Sequence, residues 1–149
     1  MENNYFLYKT HIGFSIVSNE VDPDIISKEL NITPDRYYKK GDKSISKHSG
    51  SVIIKTHNLW SIESKPTIIK DETISHHVEY LKFILLPKVD VLTRYKNNSF
   101  LELSFWIWIE TDNAGIGLDL NEAELGFLNS ISNRIHFSLI CHNENEITF

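Results

Sequence analysis

The 149 residues carry 15 Lys and Arg against 20 Asp and Glu, a net charge of −5, with 41% hydrophobic and 23% charged residues. That length fits one ordinary domain over residues 1–149, and 8 Phe, 6 Tyr and 3 Trp supply enough apolar bulk to exclude a disordered chain. No apolar run approaches the ~20 residues of a membrane span, no basic-then-apolar leader opens the chain, and the lone Cys141 can form no internal disulfide, so a cytoplasmic protein without a membrane segment is expected.

In chain order, Tyr5 to Val17 is rich in β-formers, and Ile12, Phe14 and Ile16 alternate as a strand does. Asp22-Pro23 starts a helix, because Asp caps free N–H groups and Pro tolerates the first helical position. Ile25, Ile26 and Leu30 form its apolar side, and Pro34 lies beyond its end. Residues 35–51 are polar and lysine-rich and read as a long loop, with Gly41 at a position needing positive φ. Val52 to Ser64 is a second strand region, interrupted near Asn58, with Trp60 and Ile62 on one side. Glu72 to Tyr95 is the longest helical pattern, through Ile74, Val78, Leu81 and Leu85, and Pro87 divides it.

Ser99 to Glu110 is the clearest strand. Leu101, Leu103, Phe105, Ile107 and Ile109 mark one face; Glu102, Ser104, Trp106 and Trp108 mark the other. Asn113 to Gly117 is a turn. Asn121 with Glu124 makes a capping box for a helix bearing Leu125, Leu128 and Ile131. Arg134 to His142 is a last strand with Ile135, Phe137, Leu139 and Cys141 inward. Strands and helices thus alternate, which predicts an α+β fold, ferredoxin-like or a related antiparallel or mixed sheet. Its helices pack on one face, and the opposite face is open and carries Trp106, Trp108, His136 and His142.

No spacing among these residues spells a catalytic motif. His76 and His77 are adjacent on a helix and point about 100° apart, unlike a zinc-binding i, i+4 pair. His136 and His142 share a strand face but stand about 20 Å apart. No metal and no cofactor are expected, although His136 with His11 is a possible pairing. Gly115-x-Gly117 lacks a third glycine and is flanked by Asp112 and Asp119, which would repel a pyrophosphate. The loop from Arg36 to Lys47 sets five cations and two tyrosines against Asp35 and Asp42; in an acidic chain this is a solvated loop rather than a nucleic-acid surface.

Charge is divided unevenly. Residues 1–99 hold 14 of the 15 cations against 12 acids, whereas residues 100–149 hold 8 acids and only Arg134. Acids in the first turn of the last helix complement its dipole, but Glu110 and Asp112 have no such cause and adjoin Trp106 and Trp108.

Asp22-Pro23, Pro34, Lys40-Gly41-Asp42, Trp60-Ser61 leading to Ser64, the long middle helix and Gly117-Leu118-Asp119-Leu120 together resemble a family of small, mainly bacterial proteins. That family is catalogued as domain of unknown function four-two-seven-nine, and the likeness spans nearly the whole chain. It implies the fold and no activity. The family's last strand carries an acid and a tyrosine where this chain has Leu139-Ile140-Cys141-His142, so no role is carried over to that strand.

Two functions are expected from these features. The first is a non-enzymatic protein-binding domain, of the immunity type that neutralises a basic toxin. Its partner, or a second copy of the chain, would meet Trp106, Trp108, Glu110 and Asp112. The alternative is a small-ligand-binding or regulatory domain using the open sheet face, with Lys40, Gly41, Asp42 and Trp60 as its lip. A cryptic enzyme ranks behind both.

Overall fold

A computed structural model describes residues 9–65, 73–111 and 117–141. Expectations that rest on Tyr5–Tyr8, Glu72, Asp112, Asn113–Gly115 and His142 lie outside them. The elements are β1 (Lys9–Ser18), α1 (Pro23–Leu30), β2 (Arg36–Tyr38), β3 (Lys43–Ile45), β4 (Val52–Ile54) and β5 (Asn58–Glu63). They are followed by α2 (Ile74–Leu85), α3 (Val89–Lys96), β6 (Glu102–Thr111), α4 (Glu122–Ile131) and β7 (Arg134–Cys141). A 3-10 turn at Leu86–Lys88 separates α2 from α3, because Pro87 offers no N–H to continue the helix.

Five strands make one mixed sheet in the order β2-β5-β1-β6-β7, antiparallel except for the parallel β6–β7 pair. The fold is α+β. The long loop expected over residues 35–51 instead holds β2 and β3. β2 joins the main sheet, and β3 pairs with β4 in a separate two-stranded hairpin. Alternation signals a strand with one buried face; here both faces of the hairpin are largely exposed, so its sequence carries no such signal.

Helices cover one side of the sheet: α1 lies on β5, α2 on β1 and α3 on β6. Between the layers, Ile12, Phe14 and Ile16 of β1 and Leu103, Phe105 and Ile107 of β6 are fully buried. Phe105 packs against Phe14 and Phe127, with ring centroids 5.0 and 5.9 Å away. In α4 the buried stripe is Glu124, Phe127, Leu128 and Ile131, while Leu125 is exposed. Leu125 is therefore corrected to a surface residue, one step off the helical stripe that meets the core.

β7 also departs from expectation. Ile135, Phe137 and Leu139 pair with Phe105, Ile107 and Ile109 and so point to the helix side. Yet Phe137, Leu139 and Cys141 are exposed, because the helices settle over the central strands and leave this edge uncovered.

Three local devices anchor the frame. Asn121 accepts from the Glu124 amide at 2.8 Å while Glu124 accepts from the Asn121 amide, completing the expected capping box. Asp22 caps α1, and Lys39, just after β2, bridges Asp22 and Asp24 at 3.1 and 2.7 Å. Hydrogen bonds from the Asp24 amide and from Lys39 lower the Asp22 carboxyl below its usual range. Its part in stability is thus present at neutral pH and lost as pH falls through that lowered value. Trp60, expected at the lip of a binding face, is instead core: it is fully buried under α1 and its Nε1 donates to Ser27 Oγ at 3.0 Å.

Gly41 adopts φ +90, and its amide donates to the Lys55 carbonyl at the base of the β3–β4 hairpin. A β-branched side chain is strained at that φ even though the space around it is open. Gly41→Val should lower unfolding stability by about 1–2 kcal/mol. An unchanged denaturation midpoint would remove this argument.

Candidate functional site

The face of the sheet that no described helix covers is where side chains of the opposite alternation converge. Cross-strand register sets them in rows. One row runs Arg36, Ser61, Ser15, Ser104, Arg134 across all five strands. The next runs Glu63, Gly13, Trp106, His136, and a third runs His11, Trp108, Ser138.

Small residues in the centre and large ones at the sides make this face concave. A cavity of about 410 Å³ opens there, floored by Gly13, Ser15 and Ser61 and walled by Trp106, Trp108 and Tyr38. Both kinds of wall are braced from behind. The Trp106 indole stacks on His136 with centroids 4.0 Å apart and planes 9° apart, and its Nε1 donates to Ser15 Oγ at 3.2 Å. Trp108 stacks on His11 at 5.8 Å. Across the cavity, Tyr38 Oη shares a 2.8 Å hydrogen bond with His57 Nε2, and Lys55 Nζ stands 4.6 Å over the phenol ring. The imidazoles therefore serve as supports for rings. Among the described residues no three His, Cys, Asp or Glu side chains gather closely enough to hold a metal ion.

The expected site residues fare differently. Trp106 is 47% exposed and Trp108 half-buried, and the two stand together on the open face. Glu110 lies on the same face, paired in register with Lys9. Asp112 lies outside the described residues. Lys40, Gly41 and Asp42 form an exposed turn but do not line the cavity. Asp42 accepts from the Lys39 amide and Asn58 from the Lys40 amide, which folds this turn into the hairpin base, so Arg36, Tyr38 and His57 supply that wall. Trp60 points to the opposite side of the sheet.

Sequence reasoning missed Arg36, Tyr38, Ser15, Ser61 and Gly13 as members of one site. Their signal was faint: small or polar residues at alternate positions of the strands, opposite the apolar ones. The acidic stretch is also less free than composition implies. Glu102 pairs with Arg134 at 3.3 Å, and Glu124 is engaged by its own cap and by Ser75 Oγ.

One Ser–His pair does form, Ser64 Oγ to His77 Nδ1 at 2.6 Å, but both side chains are buried in the core. No described helix is long and apolar enough to cross a membrane.

Residues 8–142 match the family described as domain of unknown function (DUF4279), and the chain belongs to it. No curated protein and no solved structure matches the chain.

Proposed function

We infer that this member of the DUF4279 family is a non-catalytic, cytoplasmic binding domain whose open sheet face receives a small ligand in the aromatic-walled cavity. The observation that carries this is the cavity itself. Its volume of about 410 Å³ falls within the range of small-molecule sites, roughly 300–1,000 Å³, and its walls are held by stacking and hydrogen bonds before any ligand arrives. Such preorganisation lowers the ordering cost of binding. The two imidazoles nearest the cavity are engaged with Trp108 and with Tyr38, which supports binding rather than acid–base work.

The test is a titration of the protein with small aromatic compounds, followed by the three indole N–H signals in a proton–nitrogen NMR spectrum. Trp106 and Trp108 should shift while buried Trp60 stays fixed, and Trp106→Ala should weaken binding at least tenfold. A set of single-ring and double-ring aromatics that moves neither Trp106 nor Trp108 would overturn the reading.

A second reading, an immunity-type protein bound to a basic toxin, draws support from apolar surface around the same face. Trp106 is exposed, and so are Ile45, Val52 and Ile54 on one side of the β3–β4 hairpin. Exposed apolar clusters of this kind mark protein contacts, whether with another protein or with a second copy. On this reading, changing Glu110 and Asp112 to Lys should slow association with the basic partner and weaken its salt dependence.

A further inference from the structure

Granting that the open-face cavity is a ligand site, we propose that its ligand is a small aromatic carboxylate, with the ring between Trp106 and Tyr38 and the carboxylate on Arg36 and Ser61. Three observations meet at this assignment.

The first is the spacing of the walls. The Trp106 indole reaches over β1, since its Nε1 is bonded to Ser15 on that strand, and Tyr38 rises from β2. β1 and β2 are separated only by β5, two spacings or about 9.6 Å across the sheet, and Tyr38 pairs with Leu59, one cross-strand row beyond the Ser61–Ser15 row that the indole reaches, so the two rings flank the cavity diagonally. A flat ring flanked by two others needs about 7 Å between the outer planes, given carbon contacts of about 3.5 Å on each side. One face of each wall is already taken. His136 covers the indole's far face, and Lys55 stands over the phenol without lining the cavity. The gap between the walls is wider than that, so it has room for an aromatic ring laid against the free face of either one.

The second observation is an unanswered polar pair on the floor and rim. Ser61 is 3% exposed and lines the cavity, yet its hydroxyl makes no hydrogen bond among the described residues. Buried hydroxyls nearly always have a partner, so this one is left for an occupant. Directly across the strand pair stands Arg36, which also lines the cavity and forms no ion pair among the described residues. A guanidinium fork with an adjacent hydroxyl is the donor set for a carboxylate, which can accept from both at once.

The third observation separates carboxylate from phosphate. Glu63 follows Ser61 by two residues on the same face and lines the same cavity. Its charge makes a doubly charged phosphate costly there while leaving room for a single negative charge held by Arg36.

The experiment compares benzoate, benzamide and phenyl phosphate, read by the indole signals of Trp106 and Trp108 with Trp60 as the check on folding. Benzoate should bind at least tenfold tighter than neutral benzamide and tighter than phenyl phosphate. Arg36→Gln, on an exposed edge strand, should erase the preference for benzoate over benzamide while both still shift Trp106. Equal binding of benzoate and benzamide, a preference that survives Arg36→Gln, or tighter binding of phenyl phosphate would each overturn the carboxylate assignment and leave the cavity as a ligand site. If none of the three compounds moves Trp106 or Trp108, the assignment fails. The failure of the cavity reading itself is then decided by the wider aromatic set described above.

Discussion

Trp60→Ala should lower the unfolding free energy by about 3–5 kcal/mol, the range for removing a large buried aromatic. The indole is fully buried between β5 and α1, and its Nε1 donates to Ser27 Oγ at 3.0 Å, so truncation leaves both a cavity and an orphaned hydroxyl. Against a total stability of about 5–15 kcal/mol for a domain, that loss brings the protein near its unfolding threshold. The comparison that gives this meaning is Trp106→Ala. Trp106 is 47% exposed, so most of its transfer energy is not at stake, and the loss should be about 1 kcal/mol. Urea unfolding of the two variants side by side measures both. Equal losses would show that the division between a core indole and a ligand-facing indole is mistaken.

The second large effect is expected at Ser64. Its Oγ accepts from the Ile12 amide at 2.8 Å and is hydrogen-bonded to His77 Nδ1 at 2.6 Å, so one hydroxyl ties β1 and the end of β5 to α2. Ser64→Ala removes a hydrogen bond from two buried groups at once, the Ile12 amide and His77 Nδ1. At about 1–3 kcal/mol each, the combined loss is about 2–6 kcal/mol. His77→Leu should cost a similar amount alone. The double variant should cost less than the sum of the two singles, because each single variant loses the same Ser64–His77 hydrogen bond and the double loses it once. Additive losses in the double-mutant cycle would mean that the two side chains do not act as a unit. Binding of aromatic probes to the open face should persist in whichever variants remain folded, since the pair lies on the far side of the sheet.

Much of the frame is written locally and was legible without coordinates. Ile12, Phe14 and Ile16, and Leu103 through Ile109, alternate because one sheet face is buried, and period-2 burial leaves that mark. Asp22-Pro23, Pro87 and the Asn121–Glu124 box act within a few residues of themselves, so the helix starts and the division of the long helical segment follow from sequence alone. The same alternation that buries Phe105 turns Trp106 and Trp108 to the other face.

What the tertiary structure decided is which residues from distant segments share a place. Phe137 and Leu139 read as inward, and they do face the helix side, but whether a helix stands there depends on how the helices settle over the sheet. Trp60 and Trp106 are both strand tryptophans, and only the pairing of β5 with β1 and the position of α1 send one to the core and the other to the cavity. β2 and the hairpin are three-residue strands, too short for a period to show, and they are fixed by the partners they meet. The cavity is the clearest case. Arg36, Ser61 and Ser15 become neighbours through cross-strand register, a relation between residues dozens of positions apart. Sequence determines which side of its own strand each residue occupies; hydrogen-bonded register between strands determines what it stands beside.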